Sequence, residues 1–416
     1  MSASIDTATP DETAARSAIH WLSFFTAAMQ TGFGPFVSVW LVAQGWTLTE
    51  VGVALSVGTV AGLAFQMPGG LLVDAMHDKR AVAAGALAVL ALSAMGLALT
   101  PSIHAIWLVE ILHAAASAVI APAIAALTLA LCGHDSFSER LGGNARHASL
   151  GGAIAAAAFG LSVSHLGQQS PFLIAAALAV PAIASLLAIR PGPCPPAPDH
   201  MANVSPNERD TSPWIVFADP RMHIFALCIV LFHLSNAALL PLALGRFSQR
   251  GDVASYLVPA AIVVPQLIVA LASPWAGAAA RILGRRKVLL AGFVALPARA
   301  LLLAMDPGPE SLAGIQILDG VSATVLGLMP PLIAADLTKD SGHLNLAIGS
   351  FGLSAGLGAT VSTALAGWTA DHLGADLAFL GLAIVGALAV ALVGLAMPET
   401  RPAAEVGIAR SNPRKF

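Results

Sequence analysis

"GLLVDAMHDKR", residues 70–80, returns 207 residues later as "GAAARILGRRK", residues 277–287. Both copies open on a glycine, Gly70 and Gly277, and both end on basic residues, Lys79 and Arg80 in the first, Arg285, Arg286 and Lys287 in the second. Each lies between two long apolar runs. Each therefore reads as a short polar loop between two membrane helices, and the recurrence raises the question of whether the whole chain is built twice.

The surroundings support that reading. The chain of 416 residues is 57% hydrophobic and 10% charged, with a mean hydropathy of +0.79, whereas a soluble domain carries about a quarter charged residues. It reads as an integral membrane protein. Crossing a ~30 Å hydrocarbon core takes about 20 apolar residues, and twelve stretches qualify: 18–43, 50–75, 81–100, 105–131, 146–165, 171–190, 222–245, 253–280, 287–305, 311–335, 345–369 and 376–397. The runs are continuous rather than alternating, which predicts helices rather than barrel strands. The fold class expected is all-α.

Two further features repeat. Gln30 precedes Pro35 by five residues in the first span, and Asn236 precedes Pro241 by five in the seventh, 206 residues later. "EILH" opens at Glu110 in the fourth span and "QILD" at Gln316 in the tenth, again 206 residues apart. Shared offsets of this kind are the mark of internal repeats. The expected organisation is a tail (1–17), a six-helix bundle (18–190), a Pro-rich polar linker (191–220), a second six-helix bundle (221–398) and a short tail (399–416). Seventeen of the 20 Lys and Arg fall in the tails or in the even-to-odd loops, at 79–80, 140–146, 190–221, 281–287 and 339. By the positive-inside bias both termini are then cytoplasmic, in a plasma (inner) membrane.

Twelve spans split six and six, with a Gly-x-x-x-Asp…basic-basic loop after the second and a degenerate copy after the eighth, resemble the major facilitator superfamily. The resemblance covers nearly the whole chain. In the first copy Gly70, Asp74, Lys79 and Arg80 match the family loop, with "HDKR" where a glycine usually precedes the basic pair; in the second, Gly284, Arg285 and Arg286 keep its end while Arg281 takes the acidic place. What the resemblance implies is alternating access, with spans 1, 4, 7 and 10 lining a central cavity, 3, 6, 9 and 12 outside, and the two loops gating. An acidic Asp74 at a helix end can also accept hydrogen bonds from another helix's N-terminus or pair with basic residues; topology signalling alone explains the basic residues but not the aspartate.

The polar residues within the spans are the candidate site. Glu110 and His113 are three apart and share a helix face, which Ser117 continues; Gln316, Asp319 and Ser322 form the same stripe in the tenth span. Charges inside a membrane are costly and face a cavity or a partner. One role is to staple helices by hydrogen bonds; the other is function, and the matched stripes on two cavity helices favour it. Burial disfavours the charged form of an acid or an imidazole while mutual proximity favours it, so their protons are coupled. Glu110, His113 and Asp319 are accordingly the expected proton carriers. Gln30, Asn236, His233 and Gln316, each on a cavity span, are the expected substrate contacts. Arg299 follows Pro297 on a peripheral span and is expected to snorkel or to pair structurally. Gln66 beside Pro68, and Gln266 beside Pro265, mark bends.

In many exporters of the superfamily the fourth helix carries Arg-x-x-Gln-Gly; here Glu110, His113 and Ala114 stand in those places, an anion for a cation. The antiporter pattern of the fifth helix, Gly-Pro-x-x-Gly-Gly, is represented by "SLGG" ending at Gly152, without the proline. The function expected is a proton-coupled secondary transporter of a small organic solute, an exporter, with proton-symport uptake the nearest rival and a non-transporting receptor a rival of another class. No cofactor fingerprint, HExxH, phosphate loop or nucleophile-base pattern appears, so an enzyme is not expected. The 12 histidines form no tract and no metal site is expected; Cys132, Cys194 and Cys228 form no CxxC pair; a net charge of −3 offers nothing to nucleic acid. The expected partners are the solute, protons and the bilayer, and the expected state is a monomer.

Overall fold

The computed structural model describes residues 10–33, 35–99, 102–189, 212–250, 257–339 and 341–401. The linker as far as residue 211, the outer parts of both tails and Cys194 lie outside the described residues. Twelve helical rods are present among them, and no strand. In chain order they are α1 (Pro10–Thr31, resuming at Pro35–Ala43), α2 (Leu48–Ala75), α3 (Lys79–Leu99), α4 and α5 (together Ile103–Leu166), α6 (Ser170–Ala177 and Ala179–Ala188), α7 (Pro220–Asn236 and Leu239–Arg250), α8 (Leu257–Leu283), α9 (Arg285–Ala304), α10 (Leu312–Leu337), α11 (Leu344–Leu373) and α12 (Ala375–Leu395). Ten of the twelve are long and apolar enough to cross a membrane by length and composition, all but α1 and α5.

Rods α4 and α5 differ from expectation. They form one run divided only at Gly133, where φ 64 and ψ 179 leave the helical region, so the loop expected at 140–146 is helical. Glycine tolerates that conformation without a Cβ penalty. Arg146 is exposed on the helix surface and needs no loop to reach polar surroundings. Asn144 turns inward, its Nδ2 donating to Thr128 Oγ1 at 2.8 Å and tying α5 back onto α4.

Prolines lie at or just beyond the interruptions of α1 and α7 and inside α8. α1 ends in a tight turn, Gly32 N and Phe33 N donating to Met29 O and Gln30 O, and resumes at Pro35. α7 breaks after Asn236, and the released Ala238 N–H finds Ser362 Oγ of α11 at 3.2 Å. In α8, Pro265 has no N–H to offer the carbonyl of Ala261, and Gln316 Nε2 of α10 donates to that oxygen at 2.7 Å. A buried carbonyl deprived of its helical partner costs free energy unless it is met in this way.

The rods form two six-helix halves that meet through α2 with α11 and α5 with α8. Both meetings lie near the end that carries Lys79, Arg80, Arg285 and Arg286, here the basic end. A Cβ on Gly70 would strike the carbonyl of Asn345, and one on Gly349 that of Gln66; a Cβ on Gly277 would strike the carbonyl of Ser138, and one on Gly142 that of Ser273. Each N-half position in these pairs lies 207 residues before its counterpart, so the two contacts are one contact used twice. Small residues let backbones approach this closely.

At the basic end the core is shared: Phe137 and Leu141 of α5 pack with Phe225, Phe293, Leu332 and Phe351 of the C half. Toward the other end the halves keep separate cores, around Trp40, Leu97 and Phe172 in one and Leu239, Leu303 and Phe379 in the other. The stripe of α2 that meets α11 through Leu63, Gln66 and Gly70 runs on to Val60 and Val53, which are 66% and 43% exposed. The halves are therefore closed together at the basic end and parted at the opposite one. Leu92, Val180, Ile384 and Leu388, on α3, α6 and α12, are more than half exposed, which suits rods whose outer faces meet lipid.

Candidate functional site

In the N half the polar stripe divides. Glu110 is 6% exposed and its Oε1 is buried with no hydrogen-bond partner. Its carboxylate lies against Gly58 of α2, where a Cβ would stand 2.5 Å from Oε2. His113 turns elsewhere: its ring stacks on Phe33, 3.7 Å between centroids, and its Nε2 lies 3.4 Å from Ser117 Oγ, which accepts from Gln30 Nε2 at 3.2 Å. His113 Nδ1 is buried and unpartnered. The structure thus joins Gln30, Ser117 and His113, and places Glu110 beside them without a direct bond.

In the C half everything converges on Arg299, which is 2% exposed. Its Nη1 donates to Asn236 Oδ1 at 2.7 Å and to Asp319 Oδ1 at 2.6 Å; its Nη2 donates to Gln316 Oε1 at 2.7 Å. Gln316 is fully buried, its carbonyl taken by Arg299 and its amide by Ala261 O. Ser322 leaves the stripe, donating to Gly292 O of α9. His233 faces α11, its Cβ 3.1 Å from where Gly358 would carry one, apart from the arginine network. Three expected site residues, Asn236, Gln316 and Asp319, are thus joined by a fourth that the sequence reading left at the periphery. An intramembrane arginine calls for a named partner, and Asp319 was within reach of that question.

The two clusters occupy equivalent places. Seven of the eight buried positions of α3, Ala83, Ala86, Leu87, Leu90, Ser93, Ala94 and Leu97, reappear 206 residues on as buried positions of α9, and Arg299 answers to Ser93. Ser93 is 1% exposed and its Oγ has no hydrogen-bond partner. Where the C half holds a buried cation, the N half holds a hydroxyl.

Between the halves lies a cavity of about 290 Å³ whose walls include Ser23, Thr26 and Gln30 of α1, Asn144 of α5 and Pro331 of α10. Thr26 Oγ1 and Asn144 Oδ1 are buried there with no partner. Sequence reasoning missed both. Thr26 precedes Gln30 by four residues and so shares its face, a readable signal; Asn144 was hidden by the expectation of a loop.

At the basic end Asp74 reaches across the halves. It accepts from Asn345 N at 3.1 Å, Asn345 Nδ2 at 2.7 Å and Leu346 N at 2.8 Å, at the N-terminus of α11, where anions are favoured. The matching contact is an ion pair, Arg281 Nε donating to Glu139 Oε1 at 2.8 Å. Lys79 leaves the Asp74 carboxylate alone and caps α2, donating to the carbonyls of Val73, Asp74 and Met76. Arg80 contacts Leu187 O of α6. Arg285 pairs with Asp336 inside the C half at 3.0 Å, Arg286 donates to Gly394 O, and Gly284, at φ 97, lies against Glu399, which caps the N-terminus of α9.

Two halves of repeated design, a polar centre between them and a closure at one end define a secondary transporter, not an enzyme. The chain belongs to the major facilitator superfamily, whose sequence model matches residues 19–264 and 225–415. It is 33% identical over 393 residues, 92% of this chain and 93% of the other, to the uncharacterized MFS-type transporter Rv2456c of Mycobacterium tuberculosis strain H37Rv. It is similar in fold to the transporter FucP in its outward conformation, with a TM-score of 0.74 at 15% identity over 92% of this chain and 99% of that one. A second structure of FucP, the Escherichia coli fucose:proton symporter, gives 0.71 at 16% identity over 91% and 97%. The human organic anion transporter MFSD10 gives 0.69 at 14% identity over 92% and 100%.

Proposed function

We propose that the protein is a proton-coupled transporter that exports a small organic solute in exchange for protons by alternating access. The observation that carries this is Glu110, a carboxyl group 6% exposed with no cation and no hydrogen bond beside it, unlike Asp336, whose equally buried side chain pairs with Arg285. A charge buried in this way is very costly unless compensated, and a proton is a cation that can reach it. Glu110 carries that proton and His113 relays it by way of Ser117 and Gln30, whereas Asp319 stays charged against Arg299. The cavity under Gln30, with Thr26 and Asn144, takes the solute; Asn236 and Gln316 hold the far wall through Arg299, and His233 steadies α7 against α11.

On this reading the basic end and both termini are cytoplasmic, and a single copy suffices. Gly70 with Asp74 and Gly277 with Arg281 form the inner gate, while Lys79, Arg80, Gly284, Arg285 and Arg286 fix the helix ends that carry it. Pyranine fluorescence in proteoliposomes tests the coupling: a solute gradient is expected to move protons with the wild type and not with the E110Q/H113Q variant. Full proton flux in that variant would sink the assignment. Uptake by proton symport is the second reading, favoured by the fold's likeness to a fucose:proton symporter and by the missing proline before Gly152; proton and solute moving in the same direction would establish it.

A further inference from the structure

We infer that Asn144 of α5 sets the specificity of the cavity between the halves, and that the solute is an uncharged amphiphile which brings a hydroxyl or amide donor to the Asn144 carbonyl. The inference rests on the reading above that this cavity takes the solute, and names the solute's class. Asn144 Nδ2 donates to Thr128 Oγ1 at 2.8 Å, and Thr128 Oγ1 gives its own proton to Ile124 O at 2.7 Å. With that proton committed, the threonine oxygen can only accept, so the Asn144 amide cannot turn over without losing the bond. Asn144 Oδ1 is thereby held in the cavity wall as an acceptor, buried and without a partner.

The other polar groups of the lining suit the same chemistry. Ser23 Oγ has given its proton to Ile19 O at 2.9 Å and has only lone pairs left, Gln30 Nε2 has placed an N–H on Ser117 Oγ at 3.2 Å, and Thr26 Oγ1 makes no bond. Alanine, isoleucine, leucine, glycine and proline complete the walls, and among the described residues no Asp, Glu, Lys, Arg or His lines the cavity. An ion of either sign would be buried there unpaired, a cost that an uncharged solute avoids. Glu110 lies on Gly58 of α2, and Arg299 is already paired with Asp319; neither side chain lines this cavity. A solute that displaces water from the Asn144 carbonyl must supply an O–H or N–H in its place or lose affinity. The volume of about 290 Å³ is that of roughly ten waters, which suits one ring with a short polar arm.

The test is equilibrium binding of radiolabelled 3-phenylpropane-1,2-diol to the purified full-length protein in lipid nanodiscs, with empty nanodiscs subtracted. The dimethyl ether of the diol keeps the skeleton and the oxygens but has no O–H; 3-phenylpropylamine and 3-phenylpropanoate, a cation and an anion at neutral pH, are the charged competitors. The wild type is expected to bind the diol at millimolar concentration or below and to prefer it to the ether by about tenfold or more, the effect of one buried acceptor left unpaired. Both charged analogues should compete at least about tenfold less well than the diol. Asn144→Leu should abolish the preference for the diol, and Thr128→Val, which frees the Asn144 amide to turn and offer its N–H, should narrow it. An Asn144 with a purely structural role would lower both affinities together and keep their ratio. An unchanged ratio in either folded variant, equal binding of the ether by the wild type, tighter binding of a charged analogue, or no binding of the diol overturns the inference. The two readings fail separately. Asn144-dependent binding of the diol, with full proton flux in the E110Q/H113Q variant, removes the coupling and leaves the uncharged solute; Glu110-dependent proton flux driven only by charged solutes removes the uncharged solute and leaves the coupling.

Discussion

At Gln316 and Asp319 the C half meets its buried cation with three side-chain acceptors, Arg299 Nε alone lacking one, whereas at Glu110 and His113, 206 residues earlier, the N half buries a carboxyl group that no cation or hydrogen bond meets. The two sites are flanked by equivalent helices, α3 and α9, which share seven buried positions at one offset. Their chemistry diverges at the paired positions themselves, Glu110 against Gln316 and His113 against Asp319, and at Ser93 against Arg299. Duplication supplies the geometry twice, and divergence at these positions gives one copy an arginine paired with an aspartate and leaves the other a buried carboxyl group without a partner.

The largest expected consequence follows from Arg299. Arg299→Ala would leave Asp319 and the carbonyls of Gln316 and Asn236 facing an empty place, and breaking a buried pair from one side costs about 3–5 kcal/mol. Thermal unfolding of the detergent-solubilised protein should show that loss, and Arg299→Met with Asp319→Leu together should recover most of it. Glu110→Gln has no partner to abandon and should leave the unfolding temperature unchanged or raise it. Equal destabilisation by Arg299→Ala and Glu110→Gln would end the contrast between the halves.

The gate offers a second, smaller contrast. Asp74 accepts three hydrogen bonds at the N-terminus of α11, and charge-assisted bonds of this kind contribute roughly 1.5–3 kcal/mol. Its counterpart pairs Arg281 with Glu139, whose side chain is 46% exposed, and an exposed pair contributes about 0–1 kcal/mol. Asp74→Ala should shift the equilibrium toward opening of the basic end by about tenfold or more, and Arg281→Ala by about fivefold at most. With the native cysteines replaced, the labelling rate of Ser273→Cys, buried under Gly142, reads that opening. Faster labelling in Arg281→Ala than in Asp74→Ala would show that the second copy, not the first, latches the halves.

Much of this architecture was legible in the sequence, because hydropathy sets the rods and a shared offset sets their pairing. Of the two roles the sequence offered Asp74, acceptor at another helix's N-terminus or partner of basic residues, the contacts with Asn345 and Leu346 match the first. What could not be read were contacts fixed only by helix rotation. Glu110 and His113 share a face by spacing, yet one turns to Gly58 and the other onto Phe33. Gln316 looked free for a solute, but Pro265, on another rod, releases a carbonyl that claims its amide. Arg299 belongs to a rod that the family pattern places outside, and its long side chain reaches the centre all the same. In each case the period of the helix named the face and a neighbouring helix chose the partner.

The smallest expected effect is the most direct probe of which half is poised for a ligand. Thr26 Oγ1 is buried in the cavity wall without a partner, while Ser235 Oγ, fully buried in the C half, donates to Leu382 O at 2.8 Å. Losing a hydroxyl that makes no bond costs little, whereas losing one that satisfies a buried carbonyl costs about 1 kcal/mol. Thr26→Val should therefore leave stability within about 0.5 kcal/mol of the wild type, and Ser235→Ala should lower it by about 1 kcal/mol. Solute affinity should respond in the opposite order: Thr26→Val loses a hydrogen bond that only a ligand would complete, a change of about fivefold, and Ser235→Ala should be silent. Were Thr26→Val to cost stability and spare binding, its hydroxyl would belong to the scaffold, and the solute's polar contacts would have to come from Gln30 and Asn144 alone.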